Sequence, residues 1–399
     1  MKILVVGAGL AGPTAAFWLI KGGHEVTIVE HAPELRSGGY LIDFWGAGFD
    51  VAERMGIVPE LRERGYVFTE ARVINRDGRK VASFNPAVII ESNDRYLTIA
   101  RSDLSAVIYD ALGRAAELLL GDTAQHLDDD GERVRVTFEG GSIRDFDLVI
   151  GADGLHSRVR KLAFGPQEQY ETYLGMVVAA FEVERYPKRD ELVAMMYADI
   201  GFQALRLSFR DDTTLVLFSL RYEGDVPLDR AGQEALLRAK LTDAGWEVPT
   251  MLALMSSSRN FYFDSVSQIQ MPSWSTGRVA LVGDAVACPS FLAGQGSALA
   301  MVEAYTLAAE LVTTPAGTGD GHRQAFARYQ ERLESLLRSK QDAARGLGLA
   351  FAPKNRRQLF VRNAVMRMMG LPKVADLVMG RSFHDRVELP SFPELNTGR

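Results

Sequence analysis

A short apolar strand running straight into a glycine-rich turn occurs twice in this chain, once near each end. Lys2-Ile3-Leu4-Val5-Val6 leads into Gly7-Ala8-Gly9-Leu10-Ala11-Gly12. Far downstream, Arg278-Val279-Ala280-Leu281-Val282 leads into Gly283-Asp284 and then Gly294-Gln295-Gly296. Each piece reads as strand, turn and helix start. The two can serve one ligand only if the chain folds back and brings its distant halves side by side.

The N-terminal piece has a mechanical reading. Ile3–Val6 is β-branched or leucine, as a parallel strand buried on both faces should be. Gly7, Gly9 and Gly12 fit the dinucleotide fingerprint G-x-G-x-x-G. Gly7 permits a tight turn, Gly9 lets a pyrophosphate approach the backbone, and Gly12 lets helix and strand pack closely. A helix follows, whose N-terminus faces the phosphates with its unpaired N–H groups and positive dipole end. A second strand, Glu25-Val26-Thr27-Ile28-Val29, ends at Glu30. That spacing suits a carboxylate accepting ribose hydroxyls, and its charge would repel a 2′-phosphate. Residues 3–20 also carry no charge, but three glycines and Pro13 make them a poor membrane span or signal peptide.

Composition excludes other classes. With 399 residues the chain can build a large core, in two or three subdomains. A net charge of −6 argues against nucleic acid as partner. The one cysteine, Cys288, excludes an internal disulfide and fits a reducing cytoplasm. The histidines show no metal-ligand spacing, so no metal is expected. Gly317-x-Gly319 follows no strand and reads as a surface loop.

A third motif lies mid-chain. Asp147-Leu148-Val149-Ile150 runs into Gly151-Ala152-Asp153-Gly154-Leu155-His156-Ser157-Arg158-Val159-Arg160. Ala152-Asp153-Gly154 with Ser157 and Arg160 resembles the DG motif of the group A flavoprotein monooxygenases, the para-hydroxybenzoate hydroxylase fold. Gly283-Asp284 with Gly294-x-Gly296 resembles that family's GD motif. Arg101, in Ile99-Ala100-Arg101-Ser102-Asp103-Leu104, looks like the family arginine at the start of a helix beside the flavin. The stretch from Glu30 through Gly39-Tyr40-Leu41-Ile42-Asp43 resembles the tetracycline-inactivating branch and related antibiotic-tailoring hydroxylases. The chain also departs from the family pattern. Ala287 stands where a histidine is usual, the proline pair is reduced to Pro289 followed by Ser290 and Phe291, and Ser297-Ala298 replaces the usual asparagine.

The resemblance implies an α/β fold. A Rossmann-like, discontinuous FAD-binding domain takes residues 1–70, 97–170 and 260–320. A mixed β-sheet substrate domain takes 71–96 and 171–259, and a C-terminal helical region takes 321–399. It implies noncovalent FAD held by Gly7, Gly9, Leu10, Ala11, Gly12, Glu30, Arg36, Gly39, Arg101, Asp153, Asp284, Gly294, Gly296 and Ser297. Phe202 and Phe291 are candidates for stacking on substrate. The implied reaction is NAD(P)H-consuming hydroxylation of an aromatic or polyketide-like molecule through a flavin C4a-hydroperoxide, in the cytoplasm, by a monomer or homodimer. No catalytic side chain is assigned, because orientation, a dry pocket and electrostatics are what such a protein supplies. With one dinucleotide fingerprint, NAD(P)H is expected to dock transiently rather than in a domain of its own. The alternatives are a flavin-linked reductase or oxidase of the same superfamily, and a non-catalytic FAD protein that holds a ligand. The helix over 356–369, with Arg356, Arg357, Arg362 and Arg367, is expected to pack on the body with a solvated basic face rather than lie on a membrane.

Overall fold

The computed structural model describes residues 1–35, 40–86, 95–188, 190–209, 212–258, 260–314, 320–369 and 387–393. Its first sheet has six strands, in the order Ser275–Thr276, Val279–Leu281, Leu148–Gly151, Lys2–Val6, Glu25–Glu30 and Glu117–Leu120. All neighbours are parallel except the first pair. Ile3, Leu4, Val5, Val149 and Ile150 are fully buried, so both faces of the centre are covered. The chain does fold back: Val279–Leu281 pairs with Leu148–Gly151, one strand away from Lys2–Val6. On this sheet, helix Ala11–Lys21 packs against helix Gly296–Thr313, where the rings of Trp18 and Tyr305 meet edge-on at 4.8 Å.

The second sheet has seven strands, ordered Phe261–Ile269, Glu171–Glu184, Thr213–Arg221, Phe202–Ser208, Val193–Asp199, Glu70–Ile74 and Lys80–Phe84. Phe261–Ile269, expected with the nucleotide-binding part, instead pairs along Glu171–Glu184. Alternation along the strands makes two apolar faces. Val177, Ala179 and Phe181 pack with Leu237, Val248 and Met251, from helices Arg230–Lys240 and Val248–Met255. Met176, Val178, Ala180, Leu215 and Leu217 pack with Leu292 and Ala344. The latter face therefore looks toward the Gly283–Gly296 segment and the long helix Gly321–Phe351. Smaller sheets join Leu41–Trp45 to Tyr96–Ala100 and combine Ala124–Asp129, Val134–Phe138 and Ile143–Phe146. Helix Arg356–Met368 leaves Phe360 and Val361 exposed, while Arg362 is buried and bonded to the Ala350 carbonyl and to Gln203. No helix among the described residues is long and apolar enough to cross a membrane.

Candidate active site

Gly7 adopts φ +107°, and a Cβ there would meet the Ala152 carbonyl oxygen at 2.5 Å and Asp153 Cα at 2.8 Å. A Cβ on Gly12 would meet the Gly7 oxygen at 2.0 Å. These two glycines are demanded by close backbone approach. Gly9 differs, because a Cβ there would meet only Arg101 Nη2, at 3.3 Å. Its open side faces a ligand space rather than the protein.

Glu30 holds this turn in place. Its carboxylate accepts from the Ala8 N–H at 2.8 Å and the Ala32 N–H at 2.9 Å. A carboxylate has about four lone-pair sites, so acceptors remain for hydroxyl donors. Arg101 opens the helix Arg101–Leu112 directly after strand Tyr96–Ala100. Its backbone N–H donates to the Tyr40 carbonyl at 3.2 Å. Its guanidinium lies against Gly9 and acts electrostatically on Tyr40, Tyr262 and Asp284, yet it has no hydrogen-bonding partner among the described residues. A half-buried cation without an anion is costly unless a ligand supplies one.

Asp284 follows Gly283, which adopts φ +65°. Burial pushes its carboxyl up, while Arg101 opposes that shift; the nearby Cys288 thiol donates to the Ser267 carbonyl at 3.7 Å. Gly296, in the first turn of its helix, sits close by, since a Cβ there would come within 3.8 Å of Asp284 Oδ1. Ser297 follows in the same turn, and Gly294 provides a left-handed kink at φ +64°. Like helix Ala11–Lys21, this helix has neither a capping side chain nor an acid in its first turn. Two buried polar atoms in the segment that leads into it, Gln295 Nε2 and Ser290 Oγ, have no hydrogen-bonding partner among the described residues. Buried unsatisfied groups in a folded protein call for an explanation. Two open helix N-termini, an unpaired guanidinium and two orphaned polar atoms around one cleft fit a dinucleotide with a polar ring edge.

Around this cleft lie Tyr40 and Tyr262, which sequence reasoning gave no role, beside Phe291, which it did. Tyr40 and Tyr262 have ring centroids 5.2 Å apart, and Tyr40 meets Phe291 edge-on at 6.2 Å. Phe291 also meets Phe351 at 6.0 Å. Burial raises the hydroxyl pKa of both tyrosines, so both stay neutral phenols. Tyr262 donates to Asp264 Oδ2 at 3.3 Å, and Asp264 Oδ1 lies 3.2 Å from His156 Nε2. Phe291 thus joins the site.

Two expectations are corrected. Phe202 packs against Tyr197 on the far face of the seven-stranded sheet, because its strand position alternates away from the cleft. The carboxylate of Asp153 is spent on helix Arg158–Ala163, accepting from the Ser157 hydroxyl and from the N–H groups of Arg158 at 2.7 Å and Val159 at 3.0 Å. Asp153 shapes the cleft through its backbone, against Gly7. Arg160 then joins this motif to the other, donating to the Ala285 carbonyl at 2.8 Å. Arg36 and Gly39 lie outside the described residues, as does Gly317-x-Gly319. Among the described residues no cluster of His, Cys, Asp and Glu could hold a metal.

A family model described as an FAD binding domain matches residues 1–338. The chain is 40% identical over 349 residues to an uncharacterized protein of Mycobacterium tuberculosis, covering 86% of this chain and 92% of the relative. It is 33% identical over 350 residues to a flavin-dependent monooxygenase of an unknown prokaryotic organism, covering 85% and 87%. The solved structure of the tetracycline destructase Tet(55) superposes with a TM-score of 0.83 at 30% identity, covering 98% of each chain.

Proposed function

The chain belongs to the FAD binding domain family and is an FAD-dependent monooxygenase, and from that premise we propose that it hydroxylates an aromatic or polycyclic small molecule at the expense of NAD(P)H. The observation that carries the cofactor assignment is the Arg101 guanidinium, lying against Gly9 without a hydrogen-bonded or ion-paired partner among the described residues. Gly7, Gly9, Leu10, Ala11 and Gly12 would take the pyrophosphate with Arg101, and Glu30 would take the ribose. Asp284 would take the ribityl chain, with the helix start at Gly294, Gly296 and Ser297 facing the ring. Bound FAD supplies the redox chemistry, accepting two electrons from a nicotinamide and activating O₂.

What the chain's own residues contribute is placement and environment. The uncapped start of helix Gly296–Thr313 presents N–H groups and a positive dipole end, which favour negative charge at the cleft. Tyr40, Tyr262 and Phe291, packed in one cluster with Leu215, Leu217 and Val178, form a largely apolar wall that would exclude water from a reacting aromatic ring. The substrate class follows from that wall and from the likeness to a protein named as a tetracycline destructase. The test is twofold. Heat-released chromophore should chromatograph as FAD, and NADPH or NADH oxidation should accelerate with a tetracycline or another polycyclic phenol in a panel. Recovery of FMN, or oxidation indifferent to every aromatic in the panel, contradicts this reading.

A further inference from the structure

Helix Gly296–Thr313 is almost entirely apolar on its buried residues, yet it carries Glu303, which is 2% exposed. The other buried acid of this helix, Glu310, is paired with Arg328 at 2.7 Å and Arg332 at 3.0 Å. Glu303 has no cationic partner among the described residues. An unpaired buried carboxyl is expensive, so it persists where a hydrogen bond needs it.

That hydrogen bond is to the loop carrying Asp284. Glu303 Oε2 accepts from the Gly283 N–H at 2.8 Å. The Tyr329 hydroxyl, on helix Gly321–Phe351, lies 3.3 Å from the same oxygen and 3.2 Å from the Leu281 carbonyl. Gly283 is squeezed between two helices: a Cβ there would come within 3.1 Å of Ala11 Cβ and 3.4 Å of Ala300 Cβ. Gly283 is itself buried, and Glu303 supplies the acceptor its N–H would otherwise lack. Burial and the nearby Asp284 push the Glu303 carboxyl up to about 8, against the two hydrogen bonds, so near neutral pH it is held mainly as the neutral acid.

We propose that Glu303 is a positioning residue for the cofactor: through the Gly283 N–H it fixes the backbone from which Asp284 enters the cleft, and with Tyr329 it locks that backbone to the long C-terminal helix. This rests on the FAD reading above. Glutamine keeps the acceptor and methionine keeps only the bulk. FAD titration of the apoprotein should therefore find Glu303→Gln within about threefold of wild type and Glu303→Met weakened roughly tenfold or more. Leu333→Ala, a fully buried site on the helix of Tyr329, should lower the unfolding temperature while leaving FAD affinity unchanged. Glu303→Met binding FAD as tightly as Glu303→Gln overturns the proposal. Hydrogen exchange on the wild-type protein gives a second reading that needs no variant, with the Gly283 amide expected among the slowly exchanging sites. FAD uptake with a freely exchanging Gly283 amide overturns this proposal alone; a wild-type protein that takes up no FAD overturns the cofactor reading and this proposal together.

Discussion

Arg101 and Asp284 both border the cleft, and the loss of either should weaken FAD. Arg101 has no hydrogen-bonded or ion-paired partner among the described residues and only a longer-range attraction to Asp284, so Arg101→Gln should change the apoprotein's unfolding temperature little while weakening FAD roughly tenfold or more. Paired thermal unfolding and flavin titration check it. Asp284→Ala should weaken FAD by roughly 5- to 150-fold, from lost hydrogen bonds of about 1–3 kcal/mol. Asp264 is no neutral comparison, because it acts on Asp284, Tyr40 and Cys288 in the same cleft. Asp145, paired with Arg135 on the three-stranded sheet, is the proper control, and its alanine variant should bind FAD as wild type does. Glu303 predicts a pH dependence. Its folded pKa, about 8, lies above the ordinary 4.5, so its contribution to stability is full below about 4.5 and is lost as pH rises through about 8. Between pH 5 and pH 9, the unfolding temperature of wild-type apoprotein should fall relative to Glu303→Gln. A constant difference across that range contradicts the assignment.

Which elements could be read in advance follows from how local their causes are. The Gly7–Gly12 turn, the strand pairings around it and the turn at Gly283-Asp284 declare themselves because glycine geometry and apolar runs are local. Phe202 and Phe291 could not be told apart that way. Alternation separates two faces of a strand, but only tertiary packing decides which one sees the cleft. Asp153 misled because a motif carries its family role, whereas the Ser157 cap that consumes its carboxylate shows only in three dimensions. Glu303 and Tyr329 gave no sequence signal at all, since the N–H they serve is a backbone group of a distant segment. The departure at Ala298 gains a reason here. A Cβ on Gly48 would lie 2.5 Å from Ala298 Cβ, so helix Ala47–Met55 rests directly on this position. Ala298→Asn, which restores the usual family residue, should destabilise by about 1–3 kcal/mol through overpacking. Gly346→Ala, on an open helical site, should instead gain up to about 1 kcal/mol. Chemical denaturation of both variants checks the contrast, and equal midpoints contradict it.

Across the whole molecule, a largely parallel sheet proposed to hold the nucleotide abuts a mixed sheet whose inner face is apolar, and the Gly283–Gly296 segment and the helix Gly321–Phe351 lie at the junction. A redox ring set there would have a polar, dipole-facing edge toward one sheet and an aromatic wall toward the other. That arrangement suits oxygen transfer to a ring more than simple electron transfer, because water is kept from the reacting face. The reductase and oxidase readings share the fold and the cofactor, so neither bound FAD nor NADPH consumption separates them from hydroxylation. The fate of dioxygen does. With NADPH, an accepted aromatic substrate and ¹⁸O₂ in unlabelled water, mass spectrometry should find one ¹⁸O atom in the product. NADPH consumption with a modified product that carries no label contradicts the monooxygenase account.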